Sequence, residues 1–224
     1  MCVGFFNSKL PWILYFLERS RGILSSVSPL SARFDAYLKM GVILKSIRRG
    51  IKNMKLRSYR TEDILELTKL WNQIVEDGCY FPQDQPFTPI EAAEFFAEQT
   101  DVVCAFEETQ LAGFYILHPN LTGRCSHVAN ASYGVAEGQR GKGIGRLLVE
   151  HSLQNARERG FSGFQFNAVV ASNLAAIRLY KDLGFREVGK IQGGYRQKDG
   201  RLVDMIIFYQ QLLQDNAPTD EKTV

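Results

Sequence analysis

The alternation of apolar and polar residues predicts a mixed α/β domain between residues 54 and 212. Some segments alternate with a period of two, as strands do, and others repeat apolar residues at spacings of three and four, as helices do. The predicted order is β-α-α-β-β-β-α-β-α-β-β. In chain order, the predicted segments are 55–60, 61–76, 90–99, 102–107, 111–117, 126–135, 146–159, 161–169, 173–183, 185–191 and 202–209.

The regions at the two ends differ from this domain. Residues 1–53 carry a net charge of +7, whereas the remainder of the chain carries −4. The simpler interpretation is that 1–53 are an upstream extension, with translation beginning at Met54 or Met40. The alternative is a basic amphipathic helix over 42–51 that contacts a membrane surface. The polar residues 213–224 predict a disordered tail.

Composition excludes several classes of function. Apolar content of 45% and charged content of 23% are ordinary for a globular protein. The cysteines are scattered, without a C-x-x-C or Cys/His cluster, so we expect a reduced, cytoplasmic protein without a bound metal. The mildly acidic domain gives no support to nucleic-acid binding. The sequence has no G-x-S-x-G motif, which argues against a serine hydrolase.

A glycine-rich run lies between the fourth predicted strand and the next helix. Glycine lets backbone N–H groups approach a ligand, and a helix N-terminus adds unpaired donors at the positive end of its dipole. This chemistry predicts a pyrophosphate site, although a plain strand-to-helix turn is the alternative. The run consists of Gln139, Arg140, Gly141, Lys142, Gly143, Ile144 and Gly145.

The spacing within this run excludes two common nucleotide-binding patterns. A P-loop would need Gly in place of Ala136 and Ser or Thr in place of Gly143. A dinucleotide fingerprint would need Gly in place of Arg146 or Leu148. The pattern that fits is R-x-x-G-x-G.

A second motif lies downstream, over residues 173–185. It reads N-x-x-A-x-x-L-Y-x-x-x-G-F, from Asn173 through Tyr180 to Phe185. Its apolar positions recur at helical spacing, and Gly184 suits a left-handed helix C-cap before the next strand. By itself Tyr180 is as consistent with a core aromatic as with a catalyst.

Together the two motifs resemble the acetyl-CoA-binding signatures of the GNAT acetyltransferase superfamily, over about residues 55–212. The resemblance implies a mixed, mostly antiparallel sheet of six or seven strands with splayed fourth and fifth strands. It also implies that acetyl-CoA enters that gap. The superfamily often forms homodimers.

The resemblance also implies roles for individual residues. The pantetheine arm would pair with backbone from Tyr133 to Val135, the Val135 N–H would donate to the thioester carbonyl, and amides from Arg140 to Gly145 would hold the pyrophosphate. Tyr180 would protonate the leaving thiolate, and Asn173 would bond the pantetheine or order a water.

The base that deprotonates the acceptor amine is left open by the sequence. Glu137 lies near the end of the fourth strand, and His127 offers an imidazole, whose ordinary pKa is near neutrality. A water chain that includes Asn130 is a third alternative.

A narrower resemblance concerns the acceptor. Residues 114–131 and 166–173 are similar to fungal N-acetyltransferases that detoxify proline analogues such as azetidine-2-carboxylate. That resemblance implies a small amine substrate, an amino or imino acid, held by Asn130 and Asn167, with His127 beside them. The alternatives are a protein N-terminus, a polyamine, or a non-catalytic coenzyme A-binding module.

Overall fold

The computed structural model describes residues 54–212, so the predictions for 1–53 and 213–224 lie outside the described residues. Within 54–212 no helix is long and apolar enough to cross a membrane, and no group of three or more His, Cys, Asp or Glu is placed to hold a metal. The strands are β1 (Met54–Ser58), β2 (Asp101–Glu107), β3 (Gln110–Pro119), β4 (Val128–Val135), β5 (Gly163–Val170), β6 (Arg186–Arg196) and β7 (Leu202–Gln211). The helices are α1 (Ile64–Asp77), α2 (Pro89–Ala97), α3 (Ile144–Glu158) and α4 (Leu174–Asp182).

These elements follow the predicted order and form one seven-stranded sheet. The strand order is β1-β2-β3-β4-β5-β7-β6, and every neighbouring pair is antiparallel except β4 and β5. The predicted closing pair of strands is confirmed, but β7 rather than β6 lies beside β5. The mixed, mostly antiparallel sheet implied by the resemblance is therefore present.

Helices cover both faces of the sheet. On one face, called the α1/α2 face, the core contains Trp71, Phe96, Phe114 and Phe81 from the loop after α1. On the other, called the α3/α4 face, Leu148 and Leu153 of α3 pack against Tyr115, Phe164 and Phe208. Ile177, Leu179, Tyr180 and Leu183 of the α4 segment pack against this second core.

Gly134 shows how tightly β4 lies against the α1/α2 core. A Cβ at this position would lie 2.3 Å from Cε1 of Phe114 and 2.7 Å from Cδ1 of Ile74. Such distances are well inside van der Waals contact, so a side chain here would displace α1 or bend β4. The glycine lets the strand approach the aromatic core closely and fixes its position.

Candidate active site

A gap opens between β4 and β5. The two parallel strands are paired only through Val128–Gly163 and Ala129–Phe164. Beyond these pairs β4 stays bonded to β3 as far as Val135, and β5 stays bonded to β7. The predicted splay is therefore present, and six residues of β4 border it.

The register shows which backbone groups of β4 face the gap. The Ala136 N–H donates to the Ala112 carbonyl of β3 at 3.0 Å, and the His127 carbonyl accepts from Ser162 beside β5 at 2.9 Å. Alternate residues of a strand bond to opposite neighbours. The N–H and C=O groups of Tyr133 and Val135 therefore point into the gap, where β5 no longer pairs with them.

The glycine-rich run follows β4 at the open end of the gap. Gly141 and Gly143 have φ values of +78° and +86°, a left-handed conformation that glycine adopts without strain. Gly143 is the N-cap of α3 and makes no side-chain cap hydrogen bond. Among the described residues, no backbone acceptor is found for the N–H groups of residues 141–146. These donors and the dipole of α3 suit a pyrophosphate.

Tyr180 covers the gap from the α3/α4 face. Its ring centroid lies 4.3 Å from that of Phe166 on β5 and 6.5 Å from that of Tyr133 on β4. The end of α4 holds it there, since the Phe185 N–H donates to the Tyr180 carbonyl at 3.0 Å and Gly184 has a φ of +92°.

The Tyr180 hydroxyl makes no hydrogen bond within residues 54–212. Burial raises the pKa of this phenol well above its ordinary value, because the charged form is poorly solvated. The group therefore keeps its proton at neutral pH and can donate it.

Three asparagines meet where β4 and β5 diverge. The Asn120 Oδ1 accepts hydrogen bonds from Asn130 Nδ2 at 3.2 Å and from Asn167 Nδ2 at 2.6 Å. Asn130 lies between Ala129 and Ala131, which face the α3/α4 core, so its side chain points to the α1/α2 face. Thus the asparagines and Tyr180 approach the gap from opposite faces of the sheet.

This geometry agrees with the comparisons with known proteins. The profile of the Acetyltransferase (GNAT) family matches residues 64–185, more than half of the chain. The chain belongs to the GNAT family. It is 35% identical over 155 residues to N-acetyltransferase aca1 of Schizosaccharomyces pombe, covering 61% of this chain and 74% of that protein.

Solved GNAT structures have the same fold. A GCN5-related N-acetyltransferase from Kribbella flavida aligns with a TM-score of 0.68 and 27% identity, over 72% of this chain and 99% of that one. A phosphinothricin acetyltransferase from Sinorhizobium meliloti, solved with AcCoA, aligns with a TM-score of 0.69 and 21% identity, over 77% and 95%. This protein is therefore an acetyltransferase that uses acetyl-CoA.

The side chains of the GNAT glycine loop are held by their own neighbours. Arg140 Nη2 lies 3.4 Å from Asp77 Oδ2, and Lys142 Nζ donates to Gln139 Oε1 at 2.8 Å. The buried Gln139 in turn donates to Glu107 Oε2 at 3.0 Å. These contacts occupy the charged side chains of the loop, whereas no backbone acceptor is found within 54–212 for its amides.

Asn173 acts locally as a helix cap. Its Oδ1 accepts from the Ala176 N–H at 3.1 Å, which satisfies one of the free donors at the start of α4. The Nδ2 group has no hydrogen-bond partner among the described residues. Contact of Asn173 with the pantetheine or a water stays a prediction.

The structure does not bring the two proposed bases to the asparagines. His127 is exposed at the closed end of the gap, with Nδ1 3.1 Å from the Arg124 carbonyl. Glu137 is exposed in a 3-10 turn beyond the other end of β4. His127 was expected beside the asparagines, but β4 and β5 are still paired next to it, so it lies outside the opening.

His118 follows the predicted strand 111–117. It lies within β3, directly opposite Asn130, and its alternation with Leu117 points its ring to the α1/α2 face. Nδ1 lies 2.9 Å from the Pro119 carbonyl. A carbonyl only accepts, so Nδ1 is the donor in this contact.

Proposed function

We propose that this protein acetylates the amine of a small molecule that also carries a carboxylate, an amino or imino acid such as a proline analogue. The observation that carries the proposal is the meeting of Asn120, Asn130 and Asn167 at the gap. Side-chain amides donate to a carboxylate without bringing a charge of their own. Asn is also disfavoured within a strand, so amides on two facing strands need a reason beyond folding.

A loop tied across the α1/α2 face supports a small acceptor. The Tyr195 hydroxyl of β6 donates to the Phe81 carbonyl at 2.9 Å, and both residues are buried. This bond ties the loop after α1 to the far edge of the sheet. A peptide or protein N-terminus would need an open path across that loop. One solved neighbour, the Sinorhizobium enzyme, is named for the small molecule phosphinothricin.

Each part of the gap has a role in the proposed reaction. Acetyl-CoA supplies the acetyl group as a thioester. Amides of residues 141–145 hold its pyrophosphate, while the Tyr133 and Val135 backbone groups orient the pantetheine and polarise the thioester carbonyl. The neutral amine would form a bond to the acetyl carbon as the carbon–sulfur bond breaks, and Tyr180 would donate a proton to the leaving sulfur. The proton lost by the nitrogen would pass to solvent, from which the phenol regains its own. A preorganised amide donor contributes about 10²–10³-fold in rate, and a general acid contributes about 10²–10⁴-fold.

A free-thiol release assay on the full chain tests the acceptor. Acetyl-CoA is offered with proline analogues, ordinary amino acids, their methyl esters, polyamines and short peptides. We expect turnover with free amino or imino acids and at least tenfold lower kcat/KM with their esters. Asn167→Ala should raise KM for the acid about 10–100-fold, since it removes a hydrogen bond to a charged group. Turnover of polyamines or peptides alone would overturn the proposal.

A second variant tests the pyrophosphate site. Gly143→Ala places a Cβ on a residue with a φ of +86°, so the loop must change conformation and its amides turn away. We expect KM for acetyl-CoA to rise about tenfold or more, which corresponds to one lost charge-assisted hydrogen bond. Steady-state kinetics at saturating acceptor would measure it.

Gly138→Ala is the matched control for this loop. Gly138 has no atom within 4 Å of its would-be Cβ, and its φ lies outside the left-handed region. KM for acetyl-CoA should stay within about twofold in this variant. An equal change in both variants would show that the Gly143 amides do not bind the cofactor.

A further inference from the structure

Asn120 occupies a central position among the polar side chains of the gap. It follows the last residue of β3 and is fixed by its own backbone, whose N–H donates to the Val128 carbonyl at 2.7 Å. From this anchor its Oδ1 accepts from both Asn130 and Asn167, at 3.2 and 2.6 Å. A third amide, that of Gln165, donates to Asn167 Oδ1 at 2.8 Å.

These bonds determine which end of each amide is available. An amide side chain can turn either its oxygen or its nitrogen toward a neighbour. Because the Asn120 oxygen only accepts, Asn130 and Asn167 must both present their nitrogen to it. Each nitrogen keeps a second N–H that has no acceptor among residues 54–212. Without Asn120, the Asn130 amide could rotate and present its carbonyl, which would repel a carboxylate, and the Asn167 amide would be oriented by Gln165 alone.

We propose that Asn120 is the positioning residue that determines acceptor specificity, by holding Asn130 and Asn167 as paired N–H donors for the acceptor carboxylate. The inference rests on the proposed function and adds to it. Asn120 itself need not touch the acceptor. Its oxygen uses both lone pairs on the two amides, so the acceptor meets only their remaining donors.

Asn120→Asp tests this role. Aspartate has the shape of asparagine and still accepts hydrogen bonds from Asn130 and Asn167, but it adds a negative charge. Two like charges about 6 Å apart at a partly buried site repel strongly enough to change affinity by roughly 10–100-fold. We expect KM for the free amino or imino acid to rise by that factor in the full-length protein. We expect kcat to change less than about threefold, because Tyr180 and the β4 backbone are untouched.

The methyl ester of the same acceptor is the internal comparison. It carries no negative charge, so its KM should change less than about threefold in Asn120→Asp. Gln154→Glu is a matched charge control on α3, where the side chain is exposed on the other side of the sheet and bonds to Glu158. Neither acceptor should respond to that charge by more than about twofold.

A second variant, Asn120→Ala, tests the same role if Asn120→Asp does not fold. Asn120→Ala removes the accepted bonds without adding charge, and we expect KM for the acid to rise about 3–10-fold with little change for the ester. An equal response of acid and ester in both variants, or no response in either, would overturn the role of Asn120. Failure of the proposed function can be told apart from failure of the Asn120 role. If the proposed function is wrong, the unmutated protein itself shows no preference for the acid over the ester.

Discussion

Replacement of Tyr180 by phenylalanine is expected to lower kcat about 10²-fold or more, with KM for acetyl-CoA unchanged within about threefold. The substitution keeps the ring that packs 4.3 Å from Phe166 and removes only the hydroxyl. That hydroxyl bonds to no described residue, and burial keeps its pKa above the ordinary value, so the phenol holds its proton. Loss of a general acid typically costs 10²–10⁴-fold in rate.

The direction of this pKa shift sets the expected pH dependence. A phenol donates only below its pKa, and burial raises that pKa. Tyr180 should therefore cause no loss of kcat on the alkaline side up to about pH 10, the ordinary value for a tyrosine. A pH–rate profile of the unmutated protein would check this, and a fall in kcat near pH 8 that disappears in Tyr180→Phe would contradict the assignment.

Tyr209→Phe is the control for removal of a hydroxyl. Tyr209 lies on β7, a strand that does not border the gap, and its hydroxyl bonds to Gln211 Oε1 at 2.7 Å. We expect its kcat to stay within about twofold of the unmutated value. If Tyr180→Phe were as active as the unmutated protein and bound coenzyme A normally, the proton for the leaving sulfur would have to come from water.

The second large effect concerns stability. Trp71→Ala is expected to lower the free energy of unfolding by about 3–5 kcal/mol, the usual cost of truncating a buried aromatic side chain. Trp71 is 0% exposed. Its ring lies within 6.0 Å of five phenylalanine rings. Its Nε1 has no hydrogen-bond partner among the described residues, so the contribution is one of packing.

Urea denaturation followed by circular dichroism would measure this loss. Because the free energy of unfolding of a domain is commonly only about 5–15 kcal/mol, the variant should lose a large part of its stability. Leu65→Ala is the matched control on the same helix, since Leu65 is 65% exposed. It should change the unfolding free energy by less than about 0.5 kcal/mol. Equal midpoints for the two variants would show that the aromatic cluster does not stabilise the domain.

The consequence for function is specific to the acceptor side. Trp71 packs against Phe81 at 4.9 Å between ring centroids, and the Phe81 carbonyl accepts from Tyr195. The aromatic core therefore supports the loop after α1, which lies on the same face of the sheet as the Asn130 side chain. Under the proposed function, binding of acetyl-CoA depends instead on β4, the glycine loop and α4.

The local parts of this protein could be predicted from its sequence. Periodicity in each segment gave the order of strands and helices, because the pattern of apolar residues must match the repeat of the element that buries them. The loop from Arg140 to Gly145 and the end of α4 at Gly184 were also predictable. Both depend on left-handed glycines and on helix ends, which are decided by residues adjacent in the chain.

The parts that depend on distant pairing required the tertiary structure. Periodicity does not reveal that β7 lies between β5 and β6, because either strand could form the same antiparallel hairpin. His127 and Asn130 are close in sequence, yet only Asn130 reaches the opening, since β4 and β5 separate between them. The predicted strand 111–117 ends before His118, because Pro119 and Asn120 follow, although pairing with β4 extends β3 through Pro119.

The sequence by itself therefore determined the element order, the GNAT signatures and the free amides of the cofactor loop, because each is encoded by neighbouring residues. The resemblance already implied Asn130 and Asn167 for the acceptor, but the tertiary structure alone showed that Asn120 joins them. Asn120, Asn130 and Asn167 come from three separate segments, and their hydrogen bonds exist only because the sheet brings β3, β4 and β5 together at one point. Contacts of that kind depend on strand register and divergence, which no local pattern of residues specifies.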